Sequence, residues 1–253
     1  MHLMFLSMPR ALLVLVLTGT AALSASELAV MSAGAMEAAI APLALQFQRA
    51  SGHTVTVEYG TAPQLAAMLD RGQPADVVIA PAAVMDQAIG GGQAIAATRL
   101  AVGRIGVGVF VRTGAPAPDV SSESALRAAL LSADHIVYTQ GSSGQYIDAL
   151  FGKLGVVSQL ASKLVRVADA DTALARVAAG TSRDLGFGAI TAIKAFEGKG
   201  TTYAAPLPDS LQNFTAYDAA VRTGTREPQA AAAFLEFLRS PAARRTLEEA
   251  GLR

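Results

Sequence analysis

Cysteine is absent from the 253 residues. That excludes disulfides, thiolate metal sites, a cysteine nucleophile and a lipid-modified amino-terminal cysteine. Histidine is scarce: His2, His53 and His135 are all there are. No two of them have metal-ligand spacing. His53 follows a helix-ending Gly52 and His135 opens a strand, so both read as structural. Charged residues make up only 16% of the chain, and 20 basic residues balance 20 acidic ones. No basic run exists to attract nucleic acid or an anionic membrane. The phosphate-loop lysine motif and the dinucleotide glycine fingerprint are also missing. Ser143 has Gly141 before it but Gln145 where a nucleophile elbow needs glycine. Asp70, Asp76, Asp169, Asp171 and Asp184 are scattered and read as helix caps or solvated positions. No catalytic residue, cofactor or metal is expected, and the chain reads as a non-enzyme.

Apolar residues are plentiful, at 52%, which is enough for a full core in one large domain or two lobes. Arg10 precedes an apolar run from Ala11 to Leu23, and Ser24, Ala25 and Ser26 follow. A positive start, a short apolar stretch and a small-residue exit predict a cleaved signal peptide over 1–25. The run is too short for a spanning helix, which needs roughly 20 residues, and no later stretch is long enough either. The mature protein is therefore expected to be free and monomeric in the periplasm.

From Glu27 onward short strands alternate with helices. Leu28–Met31 reads as a buried strand. Met36, Ile40, Leu43 and Phe47 then share one helical face, with a kink or restart predicted at Pro42. Val55, Val57 and Tyr59 alternate with polar residues, as in a strand with two unlike faces. Val77–Ala80, Ile105–Val111, His135–Thr139, Val165–Ala168, Leu185–Ile190 and Phe214–Val221 read as further strands. Helical patterns lie between them, and two helices, 228–238 and 241–249, end the chain. This rhythm predicts an α/β fold in which mainly parallel sheets are flanked by helices. Turn-rich segments at 114–118 and 205–208 mark two crossings. The expected division is 26–108 plus 213–253 for the first lobe and 109–212 for the second, with a ligand cleft between them.

Three strand-to-helix junctions carry small or hydroxyl residues: Ser32-Ala33-Gly34, Gly60-Thr61-Ala62 and Gly141-Ser142-Ser143-Gly144. Helix starts present unpaired N–H groups and partial positive charge, so such junctions can hold an anion without lysine or arginine. In open α/β sheets ligands bind beyond the carboxyl ends of strands, where all three junctions lie. Each junction also reads as an ordinary helix cap. The most specific cradle would use Ser142, Ser143 and the amides of Gly144 and Gln145.

The stretch Gly72-Gln73-Pro74-Ala75-Asp76-Val77-Val78-Ile79 resembles a segment of the molybdate-binding proteins of ABC importers. So do Ala29–Gln48, Tyr146–Gly155, Asp169–Val177, Leu185-Gly186-Phe187 and the tail Phe234–Gly251. The resemblance spans the whole mature chain. It implies a two-lobe periplasmic-binding-protein fold, capture of a small anion, and ABC importer membrane subunits as partners. The family's ligand positions fall on Gly34, Ala62, Ser143 and Ala170, and its ligand tyrosine falls on Ala189. Ser32 and Thr61 stand beside the first two. Losing two hydrogen bonds to a charged ligand, each worth roughly 1.5–3 kcal/mol, disfavours molybdate. Either Ser32 and Thr61 stand in, or the ligand differs: the small residues imply a wider site, and the expected anion is an organic acid such as a di- or tricarboxylate, with molybdate or another tetrahedral oxyanion as the other candidate. The expected site residues are Ser32, Gly34, Thr61, Ala62, Ser142, Ser143, Gly144 and Ala170. A ligand-sensing module for a membrane signalling partner is the alternative on the same fold. A secreted hydrolase would need a nucleophile and base that the sequence does not offer.

Overall fold

The structure, a computed structural model, describes residues 26–253. The signal peptide expected over 1–25 lies outside the described residues. The first half of the chain runs β1 (Glu27–Ala33), α1 (Glu37–Ser51), β2 (Thr54–Gly60), α2 (Ala62–Asp70), β3 (Val77–Pro81), α3 (Ala82–Gly90) and β4 (Leu100–Arg112). It continues with α4 (Glu123–Ser132), β5 (Ile136–Thr139), α5 (Ser142–Lys153), α6 (Val157–Leu160), β6 (Leu164–Val167) and α7 (Ala170–Ala178). Then come β7 (Leu185–Ala189), α8 (Ile190–Ala195), β8 (Thr201–Pro206), β9 (Phe214–Val221), α9 (Pro228–Arg239) and α10 (Pro241–Glu249).

The strands pair in the order β2-β1-β3-β9-β4-β7-β5-β6, with β8 added against β4. The two flanks are parallel: β1 lies between β2 and β3, and β5 lies between β6 and β7. The middle is antiparallel, because β4 and β9 carry the chain out and back. β1 is buried from Val30 to Ala33 on both faces, so its sequence does not alternate and only Ser32 is polar in that stretch. β2 is an edge strand and keeps Thr54, Thr56 and Glu58 exposed, which preserves its alternation.

β4 is the element that joins the halves. Leu100–Gly106 pairs with β9, whereas Val107–Arg112 pairs with β7 and β8. Its Ile105 belongs to a core built mostly from 28–102 and 217–252. Its Val107 belongs to a second core containing Tyr138, Phe151 and Phe187.

Two local expectations differ from the structure. α1 runs unbroken through Pro42 and buries Ala39, Ile40, Leu43, Ala44 and Phe47. A proline this near the helix start forfeits a single ladder bond, which burial of that face outweighs. The segment taken for a linker at 205–208 begins inside β8. β8 pairs with β4 alone and ends on Pro206, as a proline-terminated edge strand can, and its Ala204-Ala205 lacks the usual strand signature.

Candidate ligand-binding cleft

The parallel strands of both halves point their carboxyl ends at one cavity of about 260 Å³. Ala33 ends β1, Gly60 ends β2, Pro81 ends β3, Thr139 ends β5 and Ala189 ends β7, and all five line it. The helices that follow these strands therefore begin at the cavity wall. Of the residues expected from sequence, Gly34, Thr61, Ala62, Ser142, Ser143 and Ala170 line the cavity. Ser32 and Gly144 do not. Ser32 lies within β1, is fully buried, and its hydroxyl donates to the Ala33 carbonyl at 3.4 Å. Gly144 backs onto β5 so closely that a Cβ there would sit 1.6 Å from the Thr139 oxygen.

The start of α5 is the best-equipped donor. Its first i→i−4 bond runs from Gln145 N–H to the Gly141 oxygen at 2.9 Å. The Gln145 amide is thus spent inside the helix, contrary to the cradle expected from sequence. The amides of Ser142, Ser143 and Gly144 precede that bond and have no intrahelical acceptor. Among the described residues the Ser142 and Ser143 hydroxyls make no hydrogen bond within the protein. Thr139 Oγ1 accepts the Gly141 N–H at 3.2 Å and fixes the turn. Across the cleft, the start of α2 comes close: a Cβ on Gly141 would lie 3.9 Å from the Thr61 side chain. Thr61 itself is occupied, since its amide and hydroxyl both donate to Gln64 Oε1, at 2.7 and 2.8 Å.

The cavity also carries carboxylates. Glu37 stands in the first turn of α1, and Asp169 and Asp171 flank the start of α7. Asp169 caps α7 by accepting the Thr172 N–H at 2.8 Å. Burial of part of the side chain, and then the facing charge of Asp171, raise the Glu37 pKa above the ordinary carboxylate value. Tyr59 is raised as well, by burial first and Glu37 second, so its phenol stays protonated. Its Oη is buried and has no hydrogen-bond partner. Tyr217 also lines the wall, and burial raises its pKa. No Lys, Arg or His is among the lining residues. The cleft therefore carries uncharged donors at the start of α5 and carboxylates at the starts of α1 and α7.

Sequence reasoning passed over Glu37, Tyr59, Gln64 and Asp171. Glu37, Tyr59 and Gln64 each lie within three residues of one of the three junctions, and Asp171 lies beside Ala170; none is one of the small residues that mark a helix start. Asp171 had been read as a cap or a solvated position. The histidines are accounted for elsewhere. His53 stacks on Phe47 with ring centroids 5.8 Å apart, and His135 Nδ1 lies 2.9 Å from the buried Asp184. Among the described residues no group of three or more His, Cys, Asp or Glu could hold a metal ion, and no helix is long and apolar enough to cross a membrane.

The model of the bacterial extracellular solute-binding proteins matches residues 28–253. The chain belongs to this family. Similarity to solved structures gives this solute-binding protein the two-lobe periplasmic fold. The periplasmic molybdate-binding protein of Azotobacter vinelandii superposes with a TM-score of 0.74 at 20% identity, covering 89% of this chain and 98% of that one. The sulfate-binding protein of Mycobacterium tuberculosis H37Rv gives 0.74 at 17%, covering 90% and 86%. At such identities the likeness speaks for the fold alone. A protein from Pseudomonas sp. named aconitate isomerase is 31% identical over 239 residues, covering 92% of this chain and 90% of its own. Two tyrosines, Tyr59 and Tyr217, stand on the cleft wall of this solute-binding protein, together with Ala189.

Proposed function

We propose that this solute-binding protein is the periplasmic receptor of an ABC-type importer and that it captures a small organic polycarboxylate between its lobes. The observation that carries this reading is the donor end of the cleft: free amides at the start of α5, with the Ser142 and Ser143 hydroxyls and no competing cation. A carboxylate there meets unpaired N–H groups and the positive end of the helix dipole. Glycine and alanine at Gly34, Ala62, Ala170 and Ala189 leave room for an anion larger than a tetrahedral oxyanion. The Pseudomonas relative, named for an unsaturated tricarboxylate, agrees with that class.

Calorimetry with cis-aconitate, trans-aconitate, citrate, succinate, molybdate and sulfate tests it. A polycarboxylate should bind at least about tenfold more tightly than molybdate, a difference of about 1.4 kcal/mol. Nanomolar molybdate binding with weak carboxylate binding would overturn the ligand class. For the location, amino-terminal sequencing of periplasmic material should begin between Ala25 and Glu27; an uncut chain in the cytoplasm would contradict it. A second reading, isomerisation of the bound tricarboxylate, is favoured by the relative's name and by the carboxylates that line the cleft.

A further inference from the structure

Two carboxylates face one another across the cleft from opposite lobes, Glu37 at the start of α1 and Asp171 at the start of α7. Simple capture of an anion gives them no task, because each repels it. The buried, unpartnered Tyr59 hydroxyl lies on the same wall as Glu37. An acid–base group beside a protonated phenol, in one cavity with an anion-holding helix start, is the equipment for moving a proton on a bound carboxylate.

We propose that the cleft catalyses a 1,3-proton shift on a bound unsaturated tricarboxylate, with Glu37 as the acid–base group. The proposal rests on the polycarboxylate reading given above. In a propene tricarboxylate the methylene carbon is flanked by its own carboxylate and by the conjugated double bond, so its proton is acidic for a carbon acid. The Glu37 carboxylate removes that proton. The C–H electron pair forms a new double bond to the central carbon, and the old double-bond pair moves to the far carbon and its carboxylate. Glu37 then returns the proton to that far carbon. One C–H bond is broken and one is formed, the double bond moves by one position, and no oxidant or reductant is needed. The new double bond takes the geometry of a bond that was previously single and free to turn, so cis and trans isomers interconvert.

The remaining groups fit this division of labour. Negative charge gathers on carboxylate oxygens that face the free amides and hydroxyls of Ser142 and Ser143, as a developing oxyanion requires. The Tyr59 hydroxyl donates to the carboxylate at the reacting end. Asp169 is engaged in capping α7, which leaves Asp171 opposite Glu37. Partial burial, and then the charge of Asp171, raise the proton affinity of Glu37, the direction that suits an acid–base group.

The experiment incubates the purified protein with cis-aconitate in D2O and follows the carbon-bound protons by NMR, with binding measured in parallel by calorimetry. The expected result is formation of trans-aconitate, with deuterium entering at the methylene and vinyl positions. Glu37→Gln should slow both by about 100-fold or more, while the Kd for the saturated analogue tricarballylate stays within about threefold. Glu37→Asp, which keeps a displaced carboxylate, should retain partial exchange. If the wild-type protein binds tricarboxylate but neither isomerises nor exchanges it, the catalytic proposal falls and the receptor reading stands. If no tricarboxylate binds at all, the reading beneath the proposal falls with it. If Glu37→Gln exchanges at the wild-type rate, Glu37 is not the acid–base group.

Discussion

At the scale of single residues, the cleft is decided by side chains whose chemistry depends on what faces them. Glu37 sits in the first helical turn, where a carboxylate ordinarily complements the dipole. In the fold it also meets Asp171 and Tyr59, and its proton affinity rises through burial and the Asp171 charge. A group with a raised folded pKa holds its proton more tightly in the native state, so its contribution to stability is present at low pH and lost as pH rises through the folded value. An anion bound nearby raises that affinity further, and binding should therefore take up protons and tighten as pH falls. Calorimetry at one pH in buffers of different ionisation enthalpy counts them. Glu37→Gln should take up fewer protons than the wild type, and equal uptake by the two would remove Glu37 from the linkage.

At the scale of elements, α5 and the strand before it form one unit. Ser143→Asp would place a carboxylate among the amides at the start of α5. It can cap the helix, so the melting temperature should hold or rise slightly. Ligand-induced stabilisation should vanish, because two anions would compete for the same donors. A variant that melts normally and keeps the full ligand shift would move the anion away from α5. Gly144 tests the packing behind that site. A Cβ there would lie 1.6 Å from the Thr139 carbonyl oxygen, which is backbone and cannot swing aside. Gly144→Ala should therefore lower unfolding free energy by about 3 kcal/mol or more in urea titrations, at the upper end of overpacking effects. Wild-type stability would show that α5 does not press on β5 as described. By contrast Gly152 on the same helix has open space around it, and Gly152→Ala should be tolerated.

At the scale of the whole molecule, one core in the first half and two clusters in the second meet at a cleft and are joined through β4 and the returning segment that enters β9. α8 also reaches across, its Thr191 hydroxyl donating to the Ala35 carbonyl at 2.6 Å, and closure on a ligand by hinge motion about these crossings is the expected response. A bound polycarboxylate should reduce the radius of gyration seen by small-angle scattering. At about 100 times Kd it should also stabilise the fold by roughly 2.7 kcal/mol, or about 5–10 °C in melting temperature for a protein of this size. Stabilisation without compaction would mean that the cleft is already closed in the free protein.

The sequence by itself determined the alternation of strands and helices, because burial on one or both faces writes its period into the apolar residues, as in β1, β2 and α1. It also placed the junctions after β1, β2 and β5, because helix starts at a ligand wall need small or hydroxyl residues. It missed β8, whose small residues and terminal proline conceal an edge strand that exists only by pairing with β4. It could not separate Ser32, turned into the core, from Gly34, which faces the cleft. Nor could it show that Glu37 and Asp171, 134 positions apart in the chain, share one space. Periodicity is a local property and survives in the sequence. The polarity of a cleft arises only when two lobes bring distant helix starts face to face, and that was decided by the tertiary structure.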